Sequence, residues 1–321
     1  MIQLLQDHPF LELVAVAASA RSAGTPYGNA CSWRLAGKCP SEVAEMMVSI
    51  CEPKAMPANV KIVLSALDSS VAKNIEADFR DSGFGVISNA SAWRMDPTVP
   101  LVIPEVNPDA LSLLDTQPNG FIIANPNCCA IPLAMALAPL HQKWSVRAVT
   151  VSTWQAVSGA GYPGESAWDM VGSVHPHAGN EEEKLAEEPQ KILDAEFPIS
   201  ARCVRVPVAD GHLLAIHVKL EGNPTPESVQ QCMEEWPGEG PSLPSCPRPP
   251  LRIDPRRDRP SPRLDCNAGN GMVVTIGRIE HCSILGIKLY ALAHNTIRGA
   301  AGAAIANAEL LVRTGRIDVV S

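Results

Sequence analysis

The chain has 321 residues, 46% of them hydrophobic, and a formal charge of -8, so it is long enough for two domains with a buried core. The acidic balance argues against a general nucleic-acid binder, and no apolar run reaches the roughly 18 residues of a membrane span. The ten cysteines are irregularly spaced and follow no secretory signal, which predicts reduced thiols in a cytoplasmic protein.

Residues 2–8 read as the end of a helix. Leu11–Ala18 is a short apolar strand. Val60–Ala66, Val86–Ser88, Leu101–Ile103 and Phe121–Ile123 repeat the pattern, with helical stretches between them. Such runs predict a parallel sheet covered on both faces. The first strand leads into Ser19-Ala20-Arg21-Ser22-Ala23-Gly24. In a dinucleotide-binding fold the end of the second strand meets the adenosine ribose, where an acid selects NAD and an arginine accommodates a 2′-phosphate. No acid is present, so Ser19, Arg21 and Ser22 favour NADP(H); the bland alternative is a polar turn. On this reading the chain begins inside the first βαβ unit, and the first strand and glycine-rich turn would lie upstream of Met1. Without them the dinucleotide would not be held in the usual way, and the sheet would lose packing near its centre.

Phe121–Ile123 runs into Asn125-Pro126-Asn127-Cys128-Cys129 and an apolar helix. A cysteine at such a strand-to-helix switch faces free N–H groups and a helix dipole that favour a thiolate and can later hold an oxyanion. A small residue buried at a helix start is the alternative. Farther on, Val146–Thr153 and Leu213–Leu220 read as strands and Glu181–Leu193 as a charged helix. Residues 237–263 hold too many prolines for regular helix and predict a surface loop. Thr296–Arg313 predicts a helix whose alanines and glycines pack closely against a neighbour. His175 and His177 lack a cysteine to complete a metal site, and no metal is expected. Trp154, Trp168 and Trp236 are read as packing or interface residues.

Several of these segments, in this order, resemble the aspartate-semialdehyde dehydrogenase family, specifically its archaeal and fungal branch. The resemblance runs from residue 1 to about 314. It rests on Ser19–Gly24, Asn125–Cys129, Ser152–Gly161, Asn180–Lys184, the run Arg205-Val206-Pro207-Val208-Ala209-Asp210-Gly211-His212, and His294–Ala301. It implies that Cys128 is the nucleophile, with Cys129 a neighbour where relatives often carry serine. It implies that His212 is the acid/base, Gln155 orients the acyl intermediate and Arg205 clamps the substrate carboxylate. Glu181 falls to the substrate amino group, Lys184 and Arg94 to phosphate, and Asn127 to the substrate side. Ser158, Gly159 and Asn295 are implied beside the nicotinamide.

The chemistry gives these residue types a reason. A thiolate displaces phosphate from an acyl phosphate and leaves a neutral thioester that accepts hydride from NADPH. A nearby histidine can take and return a proton, and a guanidinium suits a carboxylate. Each also has a structural alternative: a turn histidine, a strand-edge arginine, a buried amide, and a solvated helix face on which Lys184 pairs with Glu181 or Glu188.

The expected architecture is α/β. A Rossmann-like dinucleotide-binding domain spans 1–127 plus 295–321, lacking its N-terminal first strand. Residues 128–294 form an α+β catalytic and dimerisation domain with a mostly antiparallel sheet. The resemblance implies a homodimer or a dimer of dimers, joined through the middle sheet. The expected reaction is reduction of L-4-aspartyl phosphate to L-aspartate 4-semialdehyde, on the route to lysine, threonine and methionine. The rivals are a related acyl-CoA reductase such as malonyl-CoA reductase, N-acetyl-glutamyl-phosphate reductase, and an inactive structural subunit.

Overall fold

The computed structural model describes residues 1–317; the last four residues of the expected 295–321 segment lie outside the described residues. The N-terminal strands are β1 (Ala17–Ala18), β2 (Ser49–Ile50), β3 (Ile62–Ser65), β4 (Gly85–Ser88) and β5 (Phe121–Ala124). All their pairings are parallel: β1 with β2, and β3 with β4 with β5. Alternation along β4 and β5 sends Val86 and Ile122 to one face, where the helix Ser69–Asp81 packs with Phe79. Ile87 and Ile123 turn to the other face, under the helix Gly302–Arg313. That second helix is buried from Gly302 to Leu311, as its small residues allow.

Four expectations need correction. Leu11–Ala18 is strand only at Ala17–Ala18. β1 and β3 do not pair, so the N-terminal strands form two parallel sheets. Leu13, Val16, Ile62 and Leu64 line a cavity of about 670 Å3 between them. Leu101–Ile103 makes a single bridge, Leu101 to Ala124. The Asn107 side chain then takes over, accepting from the Ile103 N–H and donating to the Leu101 carbonyl. The expected helix over Thr296–Arg313 begins with a wider π turn, Ile297–Ala301.

The remaining strands are β6 (Val146–Gln155), β7 (Ile199–Arg205), β8 (His212–Leu220), β9 (Leu251–Asp254), β10 (Val274–Cys282) and β11 (Gly286–Ala293). They form one sheet in the order β7-β6-β8-β11-β10-β9. The two outermost pairings are parallel and the three inner ones antiparallel. Leu214, Ile216, Val218 and Leu220 alternate inward along β8, and His212 is in phase with them.

The 237–263 stretch is more than a surface loop. It supplies β9 at the sheet edge and buries Leu243 and Cys246. Its backbone has few ladder partners, and a buried carbonyl needs a donor. Arg248 provides one by donating to the carbonyls of Pro237, Gly238, Glu239, Gly240 and Pro241. Among the described residues no helix is long and apolar enough to cross a membrane.

Candidate active site

Strand direction gathers the candidate residues. β6 and β7 are parallel, and their last residues, Gln155 and Arg205, stand side by side. β8 runs the other way, so its first residue, His212, begins at the same end. β11 is antiparallel to β8 and pairs Ala293 with His212, delivering His294 and Asn295 there. From the N-terminal unit, β5 leads into Asn125–Cys129. The two cysteine sulfurs and an imidazole nitrogen of His212 lie within 4.8 Å of one another.

Asn127 fixes the turn that carries Cys128. Its N–H donates to Glu188 Oε2 at 2.5 Å and its Nδ2 to Glu181 Oε2 at 2.8 Å. Its Oδ1 accepts from the Cys129 and Ala130 N–H groups at the helix start. The Cys129 thiol donates to Cys128 and holds the Cys128 thiol well below its ordinary range; burial opposes this, and His212 adds to it. Burial pushes Cys129 the other way, reinforced by its bond to Cys128. Of the two sulfurs, Cys128 is therefore the one whose deprotonation the surroundings favour. Cys128 rests on Gly299, where a β-carbon would come within 2.7 Å of its own. The turn bearing Gly299 is anchored by Arg298, which donates to both Glu105 oxygens, at 2.7 and 2.8 Å, in full burial.

Around the thiol, Arg205 Nη1 donates to Gln155 Oε1 at 3.2 Å and to the Ala156 carbonyl at 3.0 Å. Its Nε is buried without a partner. The Ala156 N–H donates to His212 Nδ1 at 3.0 Å. Lys184 donates to Glu181 Oε1 at 2.7 Å, the pairing weighed as the structural alternative. Burial alone would raise the Glu181 carboxyl, but Lys184 and Asn127 outweigh it and hold it below its ordinary value. Arg94 pairs with Glu188 at 3.0 Å and donates to the Asn89 carbonyl. Burial pushes the Glu188 carboxyl up despite Arg94.

A cavity of about 300 Å3 brings Cys128, Asn127, Arg94, Glu181 and Lys184 together, with Ser158, Gly159 and Asn295 on its wall. Gln155, Arg205 and His212 are buried behind it. The Asn295 side chain accepts from the Gly211 N–H and donates to Ser158 Oγ. Ser19, Arg21 and Ser22 stand apart, in the turn after β1, which backbone bonds from Ser22, Ala23 and Gly24 close. The larger cavity between β1 and β3 does not reach Cys128.

Three contributors escaped the sequence reading as members of the site. Glu188 lies seven residues after Glu181, on the same helix face, so helical spacing could have found it. Gly299 and the main chain of Ala156 act through backbone and space, which no side-chain motif announces.

Residues 1–114 match the family model for the semialdehyde dehydrogenase NAD binding domain. Residues 137–298 match that for the semialdehyde dehydrogenase dimerisation domain. An aspartate-semialdehyde dehydrogenase of Archaeoglobus fulgidus is 41% identical over 97% of this chain and 94% of its own length. That of Schizosaccharomyces pombe is 41% identical over 98% and 94%. The crystal structure of aspartate semialdehyde dehydrogenase with NADP from Candida albicans superposes with a TM-score of 0.90 at 36% identity, covering 98% of this chain and 95% of that one.

Proposed function

The chain belongs to the aspartate-semialdehyde dehydrogenase family, and on that premise we propose that it converts L-4-aspartyl phosphate to L-aspartate 4-semialdehyde through a Cys128 thioester. The pathway served is the one to lysine, threonine and methionine. The observation that carries this reading is the Cys128 sulfur opening on a cavity that also holds two cations, with an amide, a guanidinium and an imidazole behind it.

Cys128 attacks the acyl carbon. Gln155 orients the acyl group, and His212 addresses the carbonyl oxygen with Nε2. Arg205 receives the α-carboxylate: Nη1 is taken up by Gln155 and Ala156, while the unpartnered Nε remains for the ligand. Glu181 receives the amino group, and Asn127 aligns it. Arg94 and Lys184 receive phosphate. Each has a single carboxylate partner, so donors remain.

The residues fit NADP(H) at both of its ends. The turn after β1 offers Ser19, Arg21 and Ser22 and no acid to a 2′-phosphate. Ser158, Gly159 and Asn295 share the cavity wall with Cys128, at the nicotinamide side. Bound there, the cofactor supplies the hydride that turns the thioester into the aldehyde.

Residues 1–127 with the segment from 295 form the dinucleotide-binding domain, and 128–294 the catalytic and dimerisation domain. The half-exposed outer side chains of β8, among them Leu213 and Ala215, support a homodimer or a dimer of dimers joined through the middle sheet.

The decisive experiment needs no cofactor. The protein is mixed with aspartyl phosphate, quenched in acid and digested. Mass spectrometry is expected to find an aspartyl adduct on the Cys128 peptide, with one phosphate released per adduct. Phosphate release without an adduct, or an adduct on Cys129, overturns the reading.

A further inference from the structure

We propose that Lys191 is a positioning residue of the phosphate site: from the last turn of the helix Glu181–Leu193 it fixes the main chain of Arg94, while Glu188 on the same face fixes the Arg94 guanidinium. The proposal rests on the reading of Arg94 as a phosphate ligand above.

Glu181, Lys184, Glu188 and Lys191 recur at helical spacing, which puts them on one face of their helix. The first two reach the cavity that Cys128 lines. Glu188 lies behind it and divides its carboxylate. Oε1 accepts from Arg94 Nη1 at 3.0 Å, and Oε2 accepts from the Asn127 N–H at 2.5 Å. Farther along the same face, Lys191 Nζ donates to the carbonyls of Arg94 and Asp96, each at 2.7 Å, and of Val99 at 2.9 Å. An ammonium has three N–H groups, so all of them are spent on the main chain of one short turn and none on a carboxylate. Burial pulls this ammonium down, and Asp96 and Glu188 stand near enough to oppose it.

The turn needs such a tie. Arg94 follows a single 3-10 turn, Ser91–Trp93, and belongs to no strand. Its own N–H makes a long bond, 3.3 Å, to the Ser91 carbonyl. The ladder that would fix a strand residue is therefore missing, and the contact with Lys191 takes its place. At the other end of the residue, Nη1 meets Glu188 and Nη2 donates to the Asn89 carbonyl at 2.8 Å. Nε is buried without a partner, and the side chain lines the cavity. A phosphate arriving there meets a guanidinium whose backbone and two of whose nitrogens are already placed, so less freedom is lost on binding. Lys191 itself does not line that cavity, and it acts through Arg94.

The test needs neither cofactor nor turnover. Cys128 shares the cavity with Arg94, so inorganic phosphate should shield it from iodoacetamide, and the phosphate concentration giving half protection measures the site. It is read in the wild type, in Arg94→Gln, which keeps an N–H for Glu188, in Lys191→Met, and in the double variant. Arg94→Gln is expected to raise it by roughly tenfold or more. Lys191→Met is expected to raise it by about fivefold to tenfold in the wild-type background and to add nothing once Arg94 is gone. Without phosphate, Lys191→Met should alkylate at the wild-type rate, because Glu188 and Asn127 hold the Cys128 turn. Should Lys191→Met not fold, Lys191→Gln keeps two of the three donors and is expected to shift the concentration in the same direction by less.

The outcomes separate the two readings. A wild-type concentration in Arg94→Gln would remove Arg94 from the phosphate site and take this proposal with it. A raised concentration in Arg94→Gln with a wild-type one in Lys191→Met would overturn the role of Lys191 alone. Effects that multiply in the double variant would mean that Lys191 acts on phosphate by its charge and not through Arg94, and would overturn it too. So would a changed rate without phosphate, which would mark a general loosening of the fold.

Discussion

Replacing Gly299 with alanine tests whether the π turn sets the position of the nucleophile. The added β-carbon would stand 2.7 Å from Cys128 Cβ and 3.0 Å from its Cα. Comfortable carbon–carbon contact is about 3.5–4.0 Å, so a movement approaching 1 Å is required. Neither side yields easily: Arg298 is pinned to Glu105, and the Cys128 turn is held by Asn127. Overpacking of this kind costs about 1–3 kcal/mol of stability. Displacing a reacting atom by about 1 Å costs on the order of 10²-fold in rate. Gly299 does not have a positive φ, and alanine is the better helix former by about 1 kcal/mol. Local propensity therefore predicts a small gain, and only the contact with Cys128 predicts a loss. The expected result is a drop in kcat/KM of about 100-fold, a lower Tm, and a changed rate of Cys128 alkylation by iodoacetamide. Wild-type kcat/KM together with a wild-type alkylation rate would refute the placement.

The other expectations follow from the same geometry. Cys128→Ala abolishes turnover at every pH, whereas Cys129→Ala keeps most of it once the pH exceeds the ordinary thiol range; comparable losses there would reassign the nucleophile. Cys128 has a depressed pKa in the folded chain, so its contribution to stability is present above the ordinary thiol value and is lost as pH falls through the depressed one. Alkylation of Cys128 should accordingly persist below pH 7, where an ordinary thiol slows about tenfold per pH unit, and Cys129→Ala should move that profile toward the ordinary thiol range. Glu188→Ala leaves the buried Arg94 guanidinium without its anion, which is expected to lower stability by about 3–5 kcal/mol in denaturant unfolding. An unchanged midpoint would show that Arg94 finds another partner. Arg21→Ala should narrow the preference for NADPH over NADH in a binding titration, and an unchanged ratio would remove Arg21 from the 2′-phosphate site.

Much of this was legible in the letters, and the gaps have physical causes. The helix Glu181–Leu193 has the bounds its charged, amphipathic run predicts. β6 and β8 begin and end within two residues of their apolar alternation. Leu11–Ala18 misled because apolar composition says nothing about a pairing partner, and only Ala17 and Ala18 find one. The 237–263 stretch misled in the opposite sense. Proline forbids helix but permits an edge strand, and a single arginine can satisfy the carbonyls that proline-rich backbone leaves open. At the site, Cys128, Gln155, Arg205 and His212 stand in recognisable motifs. Which atoms of His212 are engaged was invisible, because a backbone N–H belongs to every residue but proline.

The separation of β1–β2 from the other N-terminal strands bears on local unfolding. Among residues 1–56 only Val43 and Val48 are buried, and the two strands share two residue pairs. The region is tied down chiefly at its margins, as where His8 meets Glu309 at 2.8 Å. Few buried contacts and a short ladder mark a segment that opens far below the free energy of global unfolding. Its amides should exchange with deuterium faster than those of β4, which is buried throughout. The turn holding Ser19, Arg21 and Ser22 belongs to this segment. Any ligand gripped there would be recognised as exchange protection spreading from the turn into β1 and β2, so that binding and the ordering of the segment are one thermodynamic event.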